Sequence, residues 1–380
     1  MRIAICDAYY LGATRALYAR RPGLEQASYD EQHRAVMDMH LGTGDAYSAG
    51  LAAAGHEAVE LVSNVDMVQA AWAREHGTAR LARFGLQRTG GLPRRAARQV
   101  LLHQVIRRQL EAYGADVVYV QDISFFSRRE LRGLRRPGRL LVGQLGVRPP
   151  ADGRIAEFDL ITTSLPHYVA RLRAQGIATE YLAIAFDRRV VGQLAAEGIG
   201  VDPAGARDIP IAFVGGINGD VHQPATAALE RLAEELDVQF WGYLSGELPR
   251  SSAIRARYHG EAWGIDMYRI LARTRVALNR HSSVAEGMAN NMRLFEATGV
   301  GACLLTEAAP NLAQLFAPGE EVAVYAGPDD VAGAARALLE DDERRVRIAR
   351  AGQRRAHGEH TYTRRMAQLA EILERHAHAT

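Results

Sequence analysis

The chain has 380 residues, of which 48% are hydrophobic and 24% are charged, and its formal net charge is +2. These values are typical of a globular protein, and the length exceeds what one hydrophobic core usually serves, so we expect two domains. No apolar run is long enough to span a bilayer, and the N-terminus lacks a signal-peptide pattern, so we expect a cytoplasmic protein. Cys6 and Cys303 lie in apolar runs and are predicted to be buried and reduced.

All 46 basic residues are arginine, because the sequence contains no lysine. This excludes Walker A phosphate binding, Schiff-base chemistry and Ser-x-x-Lys catalysis, each of which requires a lysine side chain. Two stretches concentrate the arginines, and the stretch from His76 to Leu110 has no acidic residue. The clusters comprise Arg80, Arg83, Arg88, Arg94, Arg95, Arg98, Arg107 and Arg108, followed by Arg128, Arg129, Arg132, Arg135, Arg136 and Arg139.

These arginines have two interpretations. They can form a solvated helix face, or they can contact an anionic acceptor or a membrane surface, which would make the protein peripherally membrane-associated. Nucleic acid is disfavoured because Phe84 is the one aromatic residue within the first cluster, and single-strand binding requires a series of stacking aromatics. The sequence does not indicate an oligomeric state.

Short apolar runs alternate with amphipathic stretches along most of the chain, which predicts βαβ units and parallel sheets of the α/β class. Strands are predicted at residues 3–6, 58–62, 117–121, 140–143, 160–163 and 180–184, and then at 211–214, 238–241, 276–279, 302–305 and 322–325. Helices are predicted at residues 46–54, 66–74, 96–113, 128–134, 168–175 and 189–196, and then at 225–235, 267–272, 328–339, 343–355 and 363–376.

The alternation is interrupted at residues 198–210, which are rich in glycine, proline and aspartate. Such composition is typical of an interdomain connection. We therefore predict an N-terminal Rossmann-like domain at 1–197, a linker at 198–210, a second Rossmann-like domain at 211–360 and a C-terminal helix at 361–380 that packs on the first domain. Ligands of such sheets bind at the carboxyl ends of the strands, so a cleft between the domains is expected to hold the chemistry.

Residues 215–220 (Gly-Gly-Ile-Asn-Gly-Asp) follow the first predicted strand of the second domain. Glycines in this position let backbone amides approach a phosphate at a helix N-terminus, whereas the alternative is a plain tight turn. The next strand ends in Trp241-Gly242-Tyr243, which predicts an aromatic wall for a base or, alternatively, a core packing role.

The strand predicted at 276–279 has a polar end made of Asn279, Arg280, His281 and Ser282. These side chains supply hydrogen-bond donors suited to phosphate or sugar oxygens, and the alternative is an ordinary polar loop.

Residues 291–301 predict a loop, a short helix and a glycine turn before a buried strand. The helix places Arg293 and Glu296 three residues apart on one face. A guanidinium can bind a diphosphate bidentately, and a carboxylate can accept hydrogen bonds from ribose hydroxyls, so the pair predicts a nucleotide-diphosphate clamp. The alternative is an Arg–Glu ion pair on the helix surface.

No Asp-x-Asp motif occurs, and no cluster of His, Cys and carboxylate residues has metal-ligand spacing. We therefore predict no metal and no cofactor other than a donor substrate, whose diphosphate charge would be met by arginine, a helix dipole and backbone amides. The absence of a Gly-x-Ser-x-Gly elbow disfavours an α/β-hydrolase.

Taken in order, these pieces resemble the C-terminal half of the GT-B glycosyltransferases, in particular the group related to the spore-maturation protein CgeB. The matching features are Phe213-Val214-Gly215-Gly216, Trp241-Gly242-Tyr243, Tyr258-His259-Gly260 with Trp263-Gly264, Leu278-Asn279, Asn291-x-Arg293-x-Phe295-Glu296-Ala297, Leu304-Leu305-Thr306 and His360-Thr361-Tyr362. In the N-terminal half, residues 22–24, 42–48, 55–58, 71–73 and 185–187 also resemble that group.

The resemblance implies a nucleotide-sugar donor in the C-terminal domain and a carbohydrate, lipid-linked or small-molecule acceptor in the N-terminal domain, as in polysaccharide or glycoconjugate biosynthesis. It implies that Glu296 holds the donor ribose, while Arg293 and the amides of Gly215 and Gly216 face the diphosphate. Further donor contacts are expected from Trp241, Gly242, Tyr243, His259, Tyr268, Asn279, Arg280, His281, Ser282, Asn291 and Leu294.

The resemblance also favours retention of the anomeric configuration. Retaining enzymes of this fold often carry two glutamates with seven residues between them, whereas nine residues separate Glu286 from Glu296 here. If a catalytic base exists, the candidates are Asp122, His40 and Asp45.

Gln144 is a candidate positioning group, and Arg293 is expected to stabilise the leaving diphosphate. The prediction is thus a metal-independent transferase of hexosyl or related sugars. The alternatives are a non-catalytic nucleotide- or carbohydrate-binding protein of the same fold and a nucleotide-sugar epimerase.

Overall fold

The computed structural model describes residues 1–77, 92–217, 223–244, 247–281 and 285–377, and it gives the backbone alone for 92–97 and 223–225. The chain divides into two compact units, one formed by Met1–Ala183 with Thr363–Thr380 and the other by Ile184–Tyr362. Ser282, one of the predicted donor contacts, lies outside the described residues, as do residues 218–220 of the predicted glycine loop.

The first unit contains a six-stranded sheet of order β2-β1-β3-β4-β5-β6, in which all neighbouring strands are parallel. Its strands are β1 (Arg2–Asp7), β2 (Glu57–Val62), β3 (Val117–Val120), β4 (Leu140–Leu145), β5 (Leu160–Thr163) and β6 (Thr179–Tyr181). β1 lies between β2 and β3, so that Cys6 is opposite Leu61 of β2 and Val120 of β3.

The second unit contains a five-stranded parallel sheet of order β11-β10-β9-β7-β8. Its strands are β7 (Ile209–Val214), β8 (Val238–Trp241), β9 (Thr274–Leu278), β10 (Cys303–Glu307) and β11 (Ala323–Tyr325). In each unit the second strand lies on one side of the first strand and the third strand on the other side. The order of connection therefore reverses between β1 and β3 and between β7 and β9, and ligands of open α/β sheets bind outside the carboxyl ends of strands at such switch points.

Helices connect most of the strands, as right-handed βαβ crossovers require. The α-helices described before β7 are α1 (Leu11–Arg20), α2 (Tyr29–Met37), α3 (Ala46–Ala53), α4 (Asp66–Glu75), α5 (Leu92–Tyr113), α6 (Arg128–Leu134), α7 (Pro166–Arg173) and α8 (Arg189–Ala196). The later ones are α9 (Gln223–Glu235), α10 (Ile265–Arg273), α11 (Arg293–Gly299), α12 (Leu312–Leu315), α13 (Val331–Glu340), α14 (Asp342–Glu359) and α15 (Tyr362–Ala377). Short 3-10 turns occur at Leu24–Gln26, Arg154–Glu157 and Arg255–Arg257.

Local sequence explains where several helices begin. Ser28 and Ser127 each accept a hydrogen bond from the third residue of α2 and α6, and Glu31 and Glu130 at those positions complete capping boxes. α7 begins with Pro166, whose missing N–H costs nothing in the first turn.

The predicted α/β fold with two Rossmann-like sheets is confirmed, and all eleven predicted strands occur at the predicted places. α1, α2 and α12 were not predicted, because α1 and α12 carry weak apolar patterns and α2 is rich in polar residues. Among the described helices, none combines the length and apolarity that a bilayer crossing demands.

The two units meet in sequence at residues 183 and 184, earlier than the boundary predicted at 197. Residues 184–197 join the second unit through specific contacts: Phe186 forms a bridge with Thr361, and Glu197 forms an ion pair with Arg269 of α10, with 2.6 Å between Oε2 and Nε. The last helix, α15, groups with the first unit from Thr363 onward.

Candidate functional site

Helix α11 carries Arg293 and Glu296 on one face, and the two side chains form a buried ion pair. Nη1 of Arg293 lies 2.7 Å from Oε2 of Glu296, and the side chains are only 14% and 7% exposed. The alternative of a surface ion pair is therefore wrong. Burial raises the pKa of Glu296, and the Arg293 guanidinium opposes that rise.

Arg293 also reaches the end of β7. Its Nε donates to the carbonyl of Val214 at 3.1 Å, and its Nη1 contacts Sδ of Met267 in α10. Tertiary contacts therefore place the Arg293–Glu296 pair directly beside the Gly215-Gly216 turn, although about 80 residues separate them in the sequence.

The Gly215-Gly216 turn offers fewer free amides than the sequence suggested. The N–H of Gly215 donates to the carbonyl of Trp241 at 3.0 Å, and the N–H of Ile217 donates to Tyr243 at 3.0 Å. The prediction that the Gly215 amide faces a diphosphate is therefore wrong, because β8 already occupies that donor. Gly216 has the one N–H in this turn that makes no hydrogen bond to another described residue.

Arg280 follows β9 and holds the other side of the same turn. Its Nη2 donates to the carbonyl of Gly216 at 2.7 Å, and its guanidinium carbon lies 5.3 Å from the centre of the Phe213 ring. Burial lowers the pKa of Arg280, and Glu307 opposes the shift. Its Nη1 is buried and has no hydrogen-bond partner among the described residues.

Arg293 and Arg280 thus hold the carbonyl groups of Val214 and Gly216, on either side of Gly215. Because each peptide unit is planar, these two contacts fix the peptides that carry the Gly215 and Ile217 N–H groups, which lie on either side of the peptide that carries the Gly216 N–H. The turn lies at the β7/β9 switch point and is held rigidly by charge-assisted hydrogen bonds.

Asn279 and Asn291 bind each other rather than presenting free amides. Nδ2 of Asn291 donates to Oδ1 of Asn279 at 2.6 Å and to the carbonyl of Arg280 at 3.0 Å. Nδ2 of Asn279 donates to the hydroxyl of Thr306 at 2.9 Å, and the Tyr325 hydroxyl donates to the Asn279 carbonyl at 2.8 Å. The structure therefore corrects the prediction for these two amides, which join the loop after β9 to the start of α11.

His281 and Glu307 are linked in the same region. The His281 N–H donates to Oε2 of Glu307 at 2.6 Å, and Nε2 of His281 lies 3.0 Å from the Glu307 carbonyl. Burial lowers the pKa of His281, so a neutral imidazole is favoured at neutral pH.

Two aromatic pairs lie beyond the end of β8. Trp241 stacks on His259 with ring centres 4.6 Å apart, and Tyr243 stacks on Trp263 at 5.8 Å with nearly parallel planes. Trp241 and Tyr243 are partly exposed and His259 is exposed, so both pairs retain surface for stacking with a planar ligand.

Two predicted donor contacts lie in the core. Leu294 has no exposed surface, and Tyr268 is 3% exposed. Both side chains stabilise the packing of α10 and α11, so the structure corrects their assignment to a ligand site. Glu286, the other glutamate of the predicted pair, has a positive φ of 53°, a left-handed conformation that is uncommon for a residue other than glycine.

The predicted catalytic candidates belong to the first unit. Asp122 follows β3, and its Oδ1 accepts a hydrogen bond from the Ser124 N–H at 2.9 Å and another from the Ser124 hydroxyl. His40 also has a positive φ, of 48°, and Asp45 immediately precedes α3. Oε1 of Gln144 accepts hydrogen bonds from the Tyr47 and Tyr119 hydroxyls at 3.0 and 2.9 Å.

The sequence analysis missed Asp7, the last residue of β1. Burial, opposed by a hydrogen bond from the Ala8 N–H and reinforced by the charge of Asp122, raises the pKa of its carboxyl to about 7. A carboxylate directly after the first strand of a predicted parallel sheet was the available signal.

Most of the second arginine cluster is neutralised within the chain. Glu157 pairs with Arg128 and Arg132, with 2.7 and 2.8 Å between Oε1 and the two Nη2 atoms, and Asp159 pairs with Arg135. This supports the solvated-face interpretation for residues 128–135. Arg80, Arg83 and Arg88, and the side chains of Arg94 and Arg95, lie outside the described part of the chain.

Residues 223–371 match a protein family described as glycosyl transferase-like. A comparison with curated protein sequences finds no match. Among solved structures, the sucrose-phosphate synthase of Thermosynechococcus elongatus has a TM-score of 0.58 at 11% identity, with 100% of both chains covered.

Two further solved structures share the fold over nearly the full length. AviGT4, a glycosyltransferase involved in avilamycin A biosynthesis, has a TM-score of 0.56 at 16% identity, with 100% of this chain and 99% of that chain covered. HepE of Anabaena in complex with UDP-glucose has a TM-score of 0.57 at 13% identity, with 99% and 100% covered. The chain therefore has the GT-B fold, and its residues 223–371 match a glycosyl transferase-like family.

Proposed function

We propose that this chain transfers a hexosyl or related sugar from a nucleotide-diphosphate sugar to an acceptor hydroxyl. The observation that carries the proposal is the Gly215-Gly216 turn at the β7/β9 switch point, held by Arg280 and Arg293 beside the buried Glu296. Anions are bound by amides and guanidinium groups in such places, and the site needs little reorganisation when a ligand arrives.

The donor groups have distinct proposed partners. The Gly216 N–H and Nη1 of Arg280 meet the diphosphate, since both lack a partner among the described residues. Arg293 engages Oε2 of Glu296, so Oε1 is the oxygen that accepts a ribose hydroxyl. The stacked aromatic pairs after β8 offer surface for the base.

UDP-glucose is the first donor to test, because HepE is a structural neighbour in complex with that compound. Metal independence remains a prediction; an excess of EDTA should leave turnover unchanged. The acceptor class and membrane contact also remain predictions. Retention of configuration, favoured by the sequence, is tested by the anomer of the product.

A thermal-shift panel of UDP-, GDP-, dTDP- and CDP-sugars tests the donor site. One nucleotide class should raise the melting temperature, because a ligand at 100 times its Kd stabilises the folded state by about 2.7 kcal/mol. Glu296→Gln should abolish that shift; because it leaves the Arg293 charge without its partner and lowers stability as well, the shift is measured against the variant's own unliganded melt. Glu320→Gln, an exposed glutamate of the same unit, is the matched control.

Three outcomes separate the candidate functions. Donor binding with release of the nucleoside diphosphate supports transfer. Donor binding without turnover across a broad acceptor set would instead identify a binding protein. An isomerised sugar nucleotide formed from donor alone would identify an epimerase.

A further inference from the structure

The second unit contains an apolar cavity of about 230 Å³ at the carboxyl ends of its strands. Phe213 of β7 and Leu278 of β9 line it from the sheet, Leu229 and Leu232 line it from α9, and Val331 lines it from α13. These five side chains are at most 5% exposed. The cavity therefore interrupts the packed core between α9, α13 and the sheet.

The size of the cavity limits what it can hold. Protein interiors contain few voids larger than a water molecule, so a cavity of this volume is more than a packing irregularity. Ala228 and Pro328 also line it and are not fully buried, so the cavity reaches the surface. An engineered apolar cavity of about 150 Å³ holds benzene, whereas pockets for drug-sized ligands measure about 300–1,000 Å³. A compact ligand with an apolar body fits, and a nucleotide sugar is too large.

Two side chains of opposite charge line the same cavity, Arg280 after β9 and Glu307 at the end of β10. Nη2 of Arg280 donates to the Gly216 carbonyl, but its Nη1 is buried without a partner among the described residues. Oε2 of Glu307 accepts a hydrogen bond from the His281 N–H, whereas Oε1 accepts none from a described residue. Both charged groups thus keep hydrogen-bonding capacity.

Arg280 and Glu307 act on each other electrostatically. In the part of the chain that the structure describes, however, neither side chain forms an ion pair, with the other or with a third residue. Partly buried charges without close counter-ions are costly, so a ligand that supplies a counter-ion to each of them gains binding free energy from both.

These two charges discriminate among ligands that have an apolar body. A simple carboxylate binds Arg280 but is repelled by Glu307, and a simple amine binds Glu307 but is repelled by Arg280. An uncharged ligand leaves both groups without a counter-ion. A zwitterion satisfies both through charge-assisted hydrogen bonds, which are about twice as strong as neutral ones.

We propose that this cavity binds a free apolar α-amino acid of about the size of leucine. Its carboxylate binds the Arg280 guanidinium, its ammonium group binds Oε1 of Glu307, and its side chain fills the space between α9 and α13. The site lies within the second unit, involves no covalent step and needs no nucleotide.

Titration calorimetry of the full-length chain without nucleotide tests the ligand class. We expect L-leucine to bind at least about tenfold more tightly than 4-methylpentanoate, which lacks the amino group, or 3-methylbutylamine, which lacks the carboxylate, since each analogue loses a charge-assisted hydrogen bond. D-Leucine should also bind more weakly, because three separate contacts distinguish the enantiomers. Equal affinity for all four compounds, or no binding of L-leucine, would overturn the proposal.

Glu307→Gln tests the contact with the ammonium group. Glutamine keeps an acceptor for the His281 N–H but removes the charge that repels a carboxylate. The affinity for L-leucine should fall at least about tenfold, and 4-methylpentanoate should become the tighter of the two ligands. Glu320→Gln, the exposed control, should keep the wild-type preference. A Glu307→Gln variant that still prefers L-leucine would contradict the assignment of Glu307.

Ala228→Leu tests the location of the site. The larger side chain occupies the cavity from the wall formed by α9, so binding of L-leucine should be lost. Ala227→Leu is the matched control, because Ala227 is exposed on the same helix and does not line the cavity. Wild-type binding in Ala228→Leu, or loss of binding in both variants, would overturn the location. If Ala228→Leu melts far below wild type, the Glu307→Gln titrations decide.

Arg280 also belongs to the proposed donor site, which gives a separate test of its contact with the carboxylate. Saturating L-leucine should raise the Kd of the nucleotide sugar at least about fivefold, because one guanidinium serves both anions. An unchanged Kd would contradict the Arg280 contact. If no nucleotide sugar binds at all, the proposed function fails, whereas the titrations without nucleotide still decide the amino-acid site.

Discussion

Glu296 is buried and Asp7 is partly exposed, and the charged neighbours of the two carboxyl groups also differ. Glu296 has a guanidinium 2.7 Å away, which partly compensates the cost of burying its charge. The charged neighbour that most affects Asp7 is another acid, Asp122. A paired carboxylate is suited to holding a ligand in one geometry, whereas a carboxyl that titrates near 7 is suited to moving a proton.

Asp7→Asn should stabilise the protein in a pH-dependent way. The pKa of Asp7 is higher in the folded state than in the unfolded chain, so wild type loses stability as the pH rises from about 4 to about 7. Asparagine has no such loss, and its advantage at pH 8 can reach about 4 kcal/mol, from about three pKa units at 1.36 kcal/mol each. Thermal melts of both proteins from pH 4 to 8 measure the difference; curves that stay parallel would contradict the expectation.

Arg293→Ala should destabilise the fold because it leaves Glu296 buried without its partner. Removing one member of a buried pair costs about 3–5 kcal/mol. Without Arg293 the pKa of Glu296 rises further above its unfolded value, so the loss should be smaller at pH 5 than at pH 8.

The double variant Arg293→Ala with Glu296→Ala should recover part of the loss, since no buried charge remains. Urea melts of wild type, both single variants and the double variant form the cycle. Equal, additive losses would show that the pair does not couple.

At the scale of elements, the ends of β7 and β8 approach unusually closely. Gly242 has a φ of 130°, and a Cβ atom on it would lie 1.9 Å from the carbonyl oxygen of Gly215. The Gly215 N–H, just after β7, also donates a hydrogen bond to the carbonyl of Trp241 at the end of β8. Gly242 therefore determines the position of the Gly215-Gly216 turn through β8 rather than through contact with a ligand.

Gly242→Ala should both destabilise the protein and displace this turn. The methyl group meets backbone atoms that cannot move aside, and the backbone conformation is strained for alanine. We expect a loss of more than about 2 kcal/mol in urea unfolding, with loss of the donor-induced thermal shift.

Gly333→Ala is the control for this change. Gly333 is exposed within α13, and a Cβ there meets nothing within 4 Å, so alanine should stabilise the helix by about 1 kcal/mol. A wild-type melt and wild-type donor binding in Gly242→Ala would disprove the packing argument.

At the scale of the whole molecule, the chain returns to its first unit at the C-terminus. Met366, Leu369 and Leu373 of α15 are fully buried, and the helix is grouped with residues 1–183. Two histidine pairs add to the contact: Nε2 of His56 lies 3.5 Å from Glu374, and Nε2 of His376 lies 3.5 Å from Glu180. The first unit is therefore incomplete until residues 363–377 are made.

Leu369→Ala should destabilise the first unit despite its position near the end of the chain. Truncating a fully buried leucine costs about 2–5 kcal/mol. Glu371→Ala, an exposed position of the same helix, should change stability by less than about 0.5 kcal/mol. Limited proteolysis followed by mass spectrometry should show earlier cleavage within residues 1–183 for Leu369→Ala. Earlier cleavage confined to residues 184–362 would contradict the grouping.

The apolar runs of the sequence determined the strands and therefore the α/β class, because a strand buried on both faces must be apolar along its length. The glycine turn after β7 and the Arg–Glu spacing of α11 could also be predicted from the sequence, since both are local patterns. Only the tertiary structure decided which hydrogen-bonding groups remain available to a ligand. The Gly215 N–H donates to the Trp241 carbonyl of β8, and the Asn291 side chain donates to that of Asn279. The behaviour of Asp7 likewise depends on burial and on Asp122, which lies far away in sequence. Hydrogen-bond partners and desolvation are set by residues distant in the chain, and for that reason the strand order, rather than any single motif, brought the site together.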